Sequence, residues 1–317
     1  MRVLKAGLVA GAILLGPARG VAADIEFYGR LDFSLQHADE AGEGQVELRN
    51  NASRVGVRGE LPLQAGLQVI YQLEFGVDLD DEADTPFTHR NQFVGLQGAF
   101  GTLKVGRHDT ALKQSQGEFD LYDDLEGDLG TVFDGESRLK DYIGYVTPTF
   151  AGGFTATLNV FPGEDAAGGN SGVADAASAS LVYEKAAVYA AIAHDIDVAG
   201  ENIDTTRVVG GYTHGPARLM LLYQRSDAGP AREDGIGVSI AWEFGASTAK
   251  LQYLAADIWR LDAQADPRDN RLSHLLSVGL DHKLGEDTKV SGFYTRGEIG
   301  GTSHTRQYIG IGMQHNF

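Results

Sequence analysis

The stretch "EFYGRLDFSLQ", residues 26–36, alternates between apolar and polar side chains. Phe27, Leu31 and Leu35 share one side of an extended chain, and Arg30 lies on the other. Successive side chains of a β-strand point to opposite faces, so this stretch predicts a strand with one apolar and one polar face. In a soluble sandwich the apolar face would contact a protein core, whereas in a large membrane barrel it would contact lipid.

The same alternation recurs along the chain. The sixteen predicted strands cover residues 26–36, 53–61, 66–77, 87–99, 102–108, 137–147, 154–161, 176–183, 188–196, 205–213, 218–226, 235–243, 248–258, 272–283, 288–296 and 305–317. Tight turns, as at 62–66, alternate with longer polar loops, as at 109–136, and this asymmetry is typical of transmembrane barrels. We therefore predict an all-β fold, a closed antiparallel transmembrane barrel of about sixteen strands, which is wide enough for a water-filled lumen.

The N-terminus predicts export. Arg2 and Lys5 precede the apolar run 6–15, and small residues follow at 21–23. This order is that of a secretory signal peptide, with cleavage expected after Ala23. The apolar run has ten residues, too few for a helix to span a bilayer of about 30 Å. We predict a cleaved signal peptide at 1–23 and a single barrel domain at 24–317.

The amino-acid composition limits the classes of partner and chemistry expected for this chain. The chain has 26 basic and 44 acidic residues and a net charge of −18, which argues against nucleic acid as a partner. It has no cysteine, so it folds without disulfides. The nine histidines are scattered and form no recognisable catalytic order, so no catalytic residue is predicted. The acidic run 78–84 lacks the glycine and spaced glutamate of a dedicated calcium loop, so we expect a solvated loop and predict no metal and no cofactor.

Five segments carry a family resemblance: "FYGRLDFSLQ" (27–36), "SRVGVRGEL" (53–61), "HRNQFVGLQGAFGTLKVGR" (89–107), "RLKDYIGYVTPTFAGGF" (138–154) and "QYIGIGMQHNF" (307–317). Together they resemble the general diffusion porins of the Gram-negative outer membrane, a family of trimeric sixteen-stranded channels. The terminal Phe317 on an alternating strand is the most specific mark.

The resemblance implies location, function and partners. It implies a channel in the outer membrane for passive diffusion of small hydrophilic solutes and ions. It also implies a homotrimer, in which the second external loop at 78–86 latches over the adjacent subunit. The barrel would contact outer-membrane lipid and lipopolysaccharide. The barrel-assembly machinery would recognise the last strand with Phe317.

The resemblance further implies a constriction formed by an inward third loop, here 109–136. The segment "GEFDLYDD" (117–124) resembles the family's Pro-Glu-Phe-Gly segment. The loop acids implied are Glu118, Asp120, Asp123 and Asp124, and the basic wall residues are Arg30, Arg54, Arg58, Arg90 and Arg138. Alternation independently turns Arg30, Arg54 and Arg58 inward. From the loop acids and the net charge we expect a weak preference for cations.

Two other classes of protein remain open at the level of sequence. An outer-membrane barrel with hydrolase activity would share the strand pattern. A soluble secreted β-rich adhesin would need its apolar faces to pack on each other, and it would not require short turns to alternate with long loops.

Overall fold

The computed structural model describes residues 24–40, 42–80, 85–163, 172–229, 231–256, 272–300 and 304–317. The predicted signal peptide, residues 1–23, lies outside the described residues. Residues 81–84 of the acidic run also lie outside the described residues. The predictions of a solvated loop at 78–84 and of a latch at 78–86 both include them.

Strands make up most of the described chain. They are β1 (Asp24–Glu40), β2 (Glu43–Asn50), β3 (Arg54–Pro62), β4 (Gln68–Val77), β5 (Phe87–Gly98), β6 (Gly101–Asp109), β7 (Arg138–Val146), β8 (Phe154–Phe161), β9 (Ala176–Lys185), β10 (Val188–Ile196), β11 (Ile203–His214), β12 (Ala217–Ala228), β13 (Ala231–Phe244), β14 (Ser247–Ala256), β15 (Leu272–Lys283), β16 (Thr288–Ile299) and β17 (Thr305–Asn316). The helical elements are α1 (Ala111–Gln114) and 3₁₀ turns at Gln64–Gly66 and Leu129–Thr131. Among these residues, no helix has the length and apolarity to cross a bilayer.

The strands close into one antiparallel barrel. From β3 to β17 each strand pairs with the next, and β1 pairs with β17 to complete the ring. β1 pairs with β3 through Asp24–Arg30 and with β2 beyond that point, so β2 and β3 share one position in the wall. The seventeen strand segments therefore fill sixteen positions, and the predicted sixteen-stranded barrel is confirmed.

The division between β2 and β3 was absent from the predicted strands, which omit β2 altogether. The wall is interrupted at Asn51–Ser53, where Ala52 has a positive φ of 50°. The Ser53 hydroxyl accepts a hydrogen bond from the backbone N–H of Asp32 at 2.9 Å, which ties the interruption to β1. The hairpin of β1 and β2 thus extends the barrel beyond the predicted strand at 26–36.

Apolar side chains cover the outside of the barrel. Phe27, Leu35 and Ile311 are 81%, 50% and 68% exposed, whereas Ser34 and Gln36 on the opposite face of β1 are buried. This arrangement is the reverse of a soluble fold, because large apolar groups face outward and polar groups face inward. It does not fit a soluble adhesin, whose apolar faces would pack together.

The two ends of the chain meet in the wall. The backbone N–H of Gly29 donates to the Phe317 carbonyl at 2.9 Å, and the Phe317 N–H donates back at 3.1 Å. The Phe317 ring lies where a Cβ at position 29 would be, so a side chain there would displace the ring. The terminal residue therefore takes part in ring closure, next to the pairing of β1 with β17.

The segment 110–137, between β6 and β7, packs inside the barrel. Phe119, Leu129, Val132 and Phe133 are buried against the inner faces of the strands from β10 to β15. Two glycines of β13, Gly235 and Gly237, make room for the Phe133 and Phe119 rings, because a Cβ at either position would overlap the ring. Apolar packing on one side of the lumen thus holds the loop across it.

Candidate functional site

The inward turn begins directly after β6. The Thr110 side chain accepts a hydrogen bond from the backbone N–H of Lys113 at 3.1 Å and caps α1. The Ala111 N–H donates to Asn159 Oδ1 at 2.7 Å, and the Leu112 N–H donates to Ser178 Oγ at 3.0 Å. Donors that a helix start leaves unpaired therefore find acceptors on the barrel wall, which directs the chain into the lumen.

Arg207 of β11 holds the end of the loop. Its side chain is fully buried. Its Nη1 donates to Glu136 Oε1 at 2.7 Å, its Nη2 to the Asp134 carbonyl at 3.1 Å and its Nε to Gln224 Oε1 at 2.8 Å. Each bond involves a charged donor, so together they form a strong connection between loop and wall.

The middle of the loop is held by β14. Gln252 Oε1 accepts from the Leu121 N–H at 2.8 Å, and Lys250 Nζ donates to the Leu121 carbonyl at 3.0 Å. The Lys250 ammonium also lies 4.6 Å from the centre of the Tyr122 ring. These contacts fix the part of the loop that carries the predicted acids.

Asp120 belongs to the internal structure of the loop. Its carboxylate accepts from the backbone N–H groups of Tyr122 at 2.9 Å and Leu129 at 2.7 Å, and from Gln252 Nε2 at 3.1 Å. Burial and the nearby Asp128 hold the pKa of Asp120 well above its usual range. The structure thus engages the Asp120 carboxylate in hydrogen bonds that hold the loop together and join it to β14.

The loop reaches the opposite wall at Asp124 and Glu126. Asp124 forms an ion pair with Arg54 of β3. Glu126 accepts from Gln36 Nε2 at 2.9 Å and lies 3.5 Å from Arg49. The loop therefore crosses the lumen from the β8–β14 side to the β1–β3 side.

Among the described residues, a polar cavity of about 570 Å³ lies beside the loop, and we call it the lane. Wall residues of β3 to β7 line one side of it, and loop residues line the other. Its lining residues are Arg54, Glu74, Arg90, Asn91, Asp109, Lys113, Gln114, Gln116, Gly117, Asp123, Asp124 and Arg138. The lane thus brings together three of the five predicted arginines and two of the four predicted acids.

Each of the three wall arginines has a carboxylate partner. Beside the pair of Arg54 with Asp124, Arg90 Nε lies 2.8 Å from Glu74 Oε1, and Arg138 Nε lies 3.0 Å from Asp109 Oδ1. Glu74 and Asp109 were not predicted as site residues. The alternation of β4 placed Glu74 on the polar face, but a strand pattern does not show how far along the lumen a residue lies.

The other predicted wall residues lie outside the lane. Arg30 is the cross-strand neighbour of Arg54, and its Nε donates to Asn316 Oδ1 at 3.2 Å. Arg58 follows Arg54 by four residues, about 13 Å along a strand at 3.3 Å per residue. It is exposed near the short-turn end and pairs with Glu26, with Nη2 2.6 Å from Oε1. Distance along β3 therefore separates Arg58 from the lane.

Glu118 is directed to a different part of the wall. Its carboxylate pairs with Arg218 near the start of β12, and its side chain is 73% exposed. The residue expected to be the main loop acid thus lies off the lane, because the loop turns the following residue, Phe119, into the apolar cluster.

Three loop carboxylates, those of Asp120, Asp123 and Asp128, bring oxygens within 4.8 Å of one another. Burial and the neighbouring acids raise the pKa of Asp123 and of Asp128. The Asp128 oxygens accept from the backbone N–H groups of Asp124 at 2.9 Å and Gly130 at 2.6 Å. Backbone donors thus stabilise this cluster, and we assign no ion to it.

A family model described as "Gram-negative porin" matches residues 7–302. The chain belongs to the Gram-negative porin family. The porin relatives include the major outer membrane protein P.IB of Neisseria meningitidis serogroup A, 24% identical over 343 residues, covering 99% of this chain and the whole of the relative. The corresponding protein of Neisseria lactamica is 23% identical over 350 residues, with the same coverage.

Solved structures share the porin fold. An anion-selective porin from Comamonas acidovorans superposes with a TM-score of 0.79 at 21% identity, over 93% of this chain and all of that one. The trimer form of OmpT, an outer membrane protein of Vibrio cholerae, superposes with a TM-score of 0.69 at 17% identity, over 94% of this chain and all of that one. The family and the closed barrel confirm the predicted location: this porin is a channel of the outer membrane.

Proposed function

We propose that this porin carries out passive diffusion of small hydrophilic solutes and ions, with the lane as its constriction. The observation that carries the proposal is the polar cavity between the inward loop and the wall, where Arg54, Arg90 and Arg138 face Asp123 and Asp124. Water and polar solutes can replace one another along such a lining at little cost in hydrogen bonds.

The lane would exclude apolar solutes by its electrostatics. Fixed charges of both signs orient the water between them, and an apolar molecule would have to displace that water without replacing its hydrogen bonds. Because the loop is held by buried contacts at Arg207 and Gln252, permeation would need no conformational cycle and no energy source.

We also propose a weak preference for cations. Asp123 and Asp124 face the lane, and the net charge of −18 raises the cation concentration at the channel mouths. The three wall arginines act in the opposite direction, which keeps the preference small. The Comamonas relative is described as anion-selective, so selectivity of either sign is compatible with this fold.

Assembly is a further part of the proposal. We propose a homotrimer, with the loop at 78–86 latching over the adjacent subunit, and removal of residues 1–23 on export. The barrel would contact outer-membrane lipid and lipopolysaccharide, and the assembly machinery would recognise the last strand with Phe317. Support comes from the family and from the position of Phe317 at the point of ring closure.

Planar-bilayer recording of the purified porin tests the channel and its selectivity together. We expect stepwise conductance and, in a potassium chloride gradient, a small reversal potential of the sign for cation preference, which shrinks as salt screens the mouth charges. A reversal potential of the opposite sign would reject cation preference, and the absence of conductance would reject the channel. We propose no enzymatic activity, so hydrolysis of lipid or peptide by the same preparation would favour the barrel hydrolase.

A further inference from the structure

We propose that two wall carboxylates, Glu74 and Asp109, determine the ion selectivity of the lane by offsetting the arginines beside them. This inference rests on the proposed channel function, because selectivity requires conduction. It concerns the wall itself, where carboxylates and arginines alternate within the same surface. The wall therefore contains both signs of charge, in contrast to the purely basic wall that the resemblance implied.

Each carboxylate lies beside an arginine and accepts a hydrogen bond from a second side chain, and Arg138 Nε itself donates to Asn91 Oδ1 at 3.0 Å. Glu74 Oε1 lies 2.8 Å from Arg90 Nε, and its other oxygen accepts from the Tyr28 hydroxyl at 3.1 Å. Asp109 Oδ1 lies 3.0 Å from Arg138 Nε, and its other oxygen accepts from Asn91 Nδ2 at 2.8 Å. Their charges therefore stay at the wall and do not follow a passing ion.

Equal numbers of positive and negative side chains line the lane. The cationic groups are those of Arg54, Arg90, Lys113 and Arg138, and the carboxylates are those of Glu74, Asp109, Asp123 and Asp124. Without the two wall carboxylates, the arginines and Lys113 would outnumber the loop acids by two to one, and the lane would attract anions. Glu74 and Asp109 thus account for a lane that passes ions of both signs.

The ion pairs also orient the arginines. Each wall carboxylate contacts the Nε of its arginine, so the terminal amino groups at the far end of the guanidinium can donate to a solute in the lane. A balanced lane with such donors suits solutes that carry both charges, such as amino acids. Zwitterions would meet an attractive group at either end of the molecule.

Neutral isosteres test the proposal. Glu74→Gln, Asp109→Asn and the double variant each keep the size and shape of the side chain but lose the negative charge. A unit charge about 5 Å from an ion in water changes the local ion concentration about fourfold. We therefore expect each single variant to raise the anion-to-cation permeability ratio at least about fourfold in low salt, and the double variant to raise it further.

The matched control is Glu26→Gln. Glu26 also pairs with a wall arginine, Arg58, but the pair is exposed at the short-turn end, outside the lane. Its loss should change the permeability ratio by less than about twofold, because solvent screens the pair. A second variant, Glu74→Gln with Arg90→Gln, removes both charges of one pair and should return the ratio close to that of the wild type.

The outcomes separate the two proposals. If the wild-type porin conducts but the Glu74 and Asp109 variants shift the ratio no more than Glu26→Gln, the wall carboxylates do not set selectivity and this inference is overturned. If a single variant fails to form a barrel, the charge-neutral pair variant gives the decision, since an anion-selective result there would also overturn the inference. A wild-type porin that carries no current would instead overturn the proposed function.

Discussion

Arg207 is the residue whose loss should most disturb the inward loop. Its buried guanidinium bonds to Glu136, to the Asp134 carbonyl and to Gln224 at 2.7–3.1 Å. Removing one partner of a buried charged pair typically costs about 3–5 kcal/mol. The lower end applies here, because Lys113 Nζ still lies 3.9 Å from Glu136 Oε2. Since 1.4 kcal/mol is a factor of ten, a cost of about 3 kcal/mol means that Arg207→Ala should shift the equilibrium from docked to undocked loop by about 10²-fold.

A second loop contact provides the control. Arg218 also pairs with a loop acid, Glu118, but that acid is 73% exposed. Exposed pairs contribute about 0.2–1 kcal/mol, so Arg218→Ala should shift the same equilibrium by less than about sixfold. The two substitutions remove the same side chain from the same lumen, and burial is the main difference between them.

Thiol labelling can measure the undocking. The chain has no cysteine, and Val132 of the loop is 1% exposed within the apolar cluster. A Val132→Cys porin should react with a small methanethiosulfonate reagent only when the loop leaves the wall. We expect labelling to accelerate by about 10²-fold with Arg207→Ala and only slightly with Arg218→Ala. Equal rates in the two backgrounds would refute the reasoning that buried contacts hold the loop.

Three further outcomes follow from the contacts described above. Arg54→Ala should increase the preference for cations, measured as a reversal potential, because the substitution removes a positive charge from the lane while Asp123 remains. An unchanged reversal potential would exclude Arg54 from the constriction. The pKa of Asp123 is raised, so on acidification Asp123 should lose its charge at a higher pH than an ordinary aspartate, and the cation preference should fall with it. A fall in cation preference confined to pH values below about 4 would contradict this expectation. The side chain introduced by Gly29→Leu would overlap the Phe317 ring. This variant should therefore give less folded barrel, measured in gels as the heat-modifiable band. A normal yield would show that ring closure tolerates a side chain at this position.

Much of the fold could be predicted from the sequence because the strand signal is local. Alternation with a period of two is visible in each segment, and it correctly placed Phe27 and Leu35 outside and Gln36 inside. The interruption between β2 and β3 was missed because the hydrogen bond of Ser53 to the backbone of Asp32 joins different strands, and no local pattern records it.

The site was less accessible to sequence reasoning, because it depends on height within the barrel and on the path of the loop. Arg54 and Arg58 share one polar face, yet only Arg54 lines the lane. Within the loop, Asp120 and Asp123 are three residues apart, and hydrogen bonds from the Leu129 N–H and from Gln252, both distant in sequence, fix the orientation of Asp120. Register between strands and loop packing are tertiary properties, so residue type and spacing do not specify them.

The central claim is that solutes cross the barrel through the lane, and a cysteine at Gln114 tests it most directly. Gln114 is exposed on the loop and lines the lane. Lys185 is exposed at the short turn between β9 and β10 and is not among the residues that line the lane. During single-channel recording, a bulky thiol reagent should reduce the current of Gln114→Cys in discrete steps and leave that of Lys185→Cys unchanged. A Gln114→Cys channel that is shown to be labelled and still carries its full current would contradict the account.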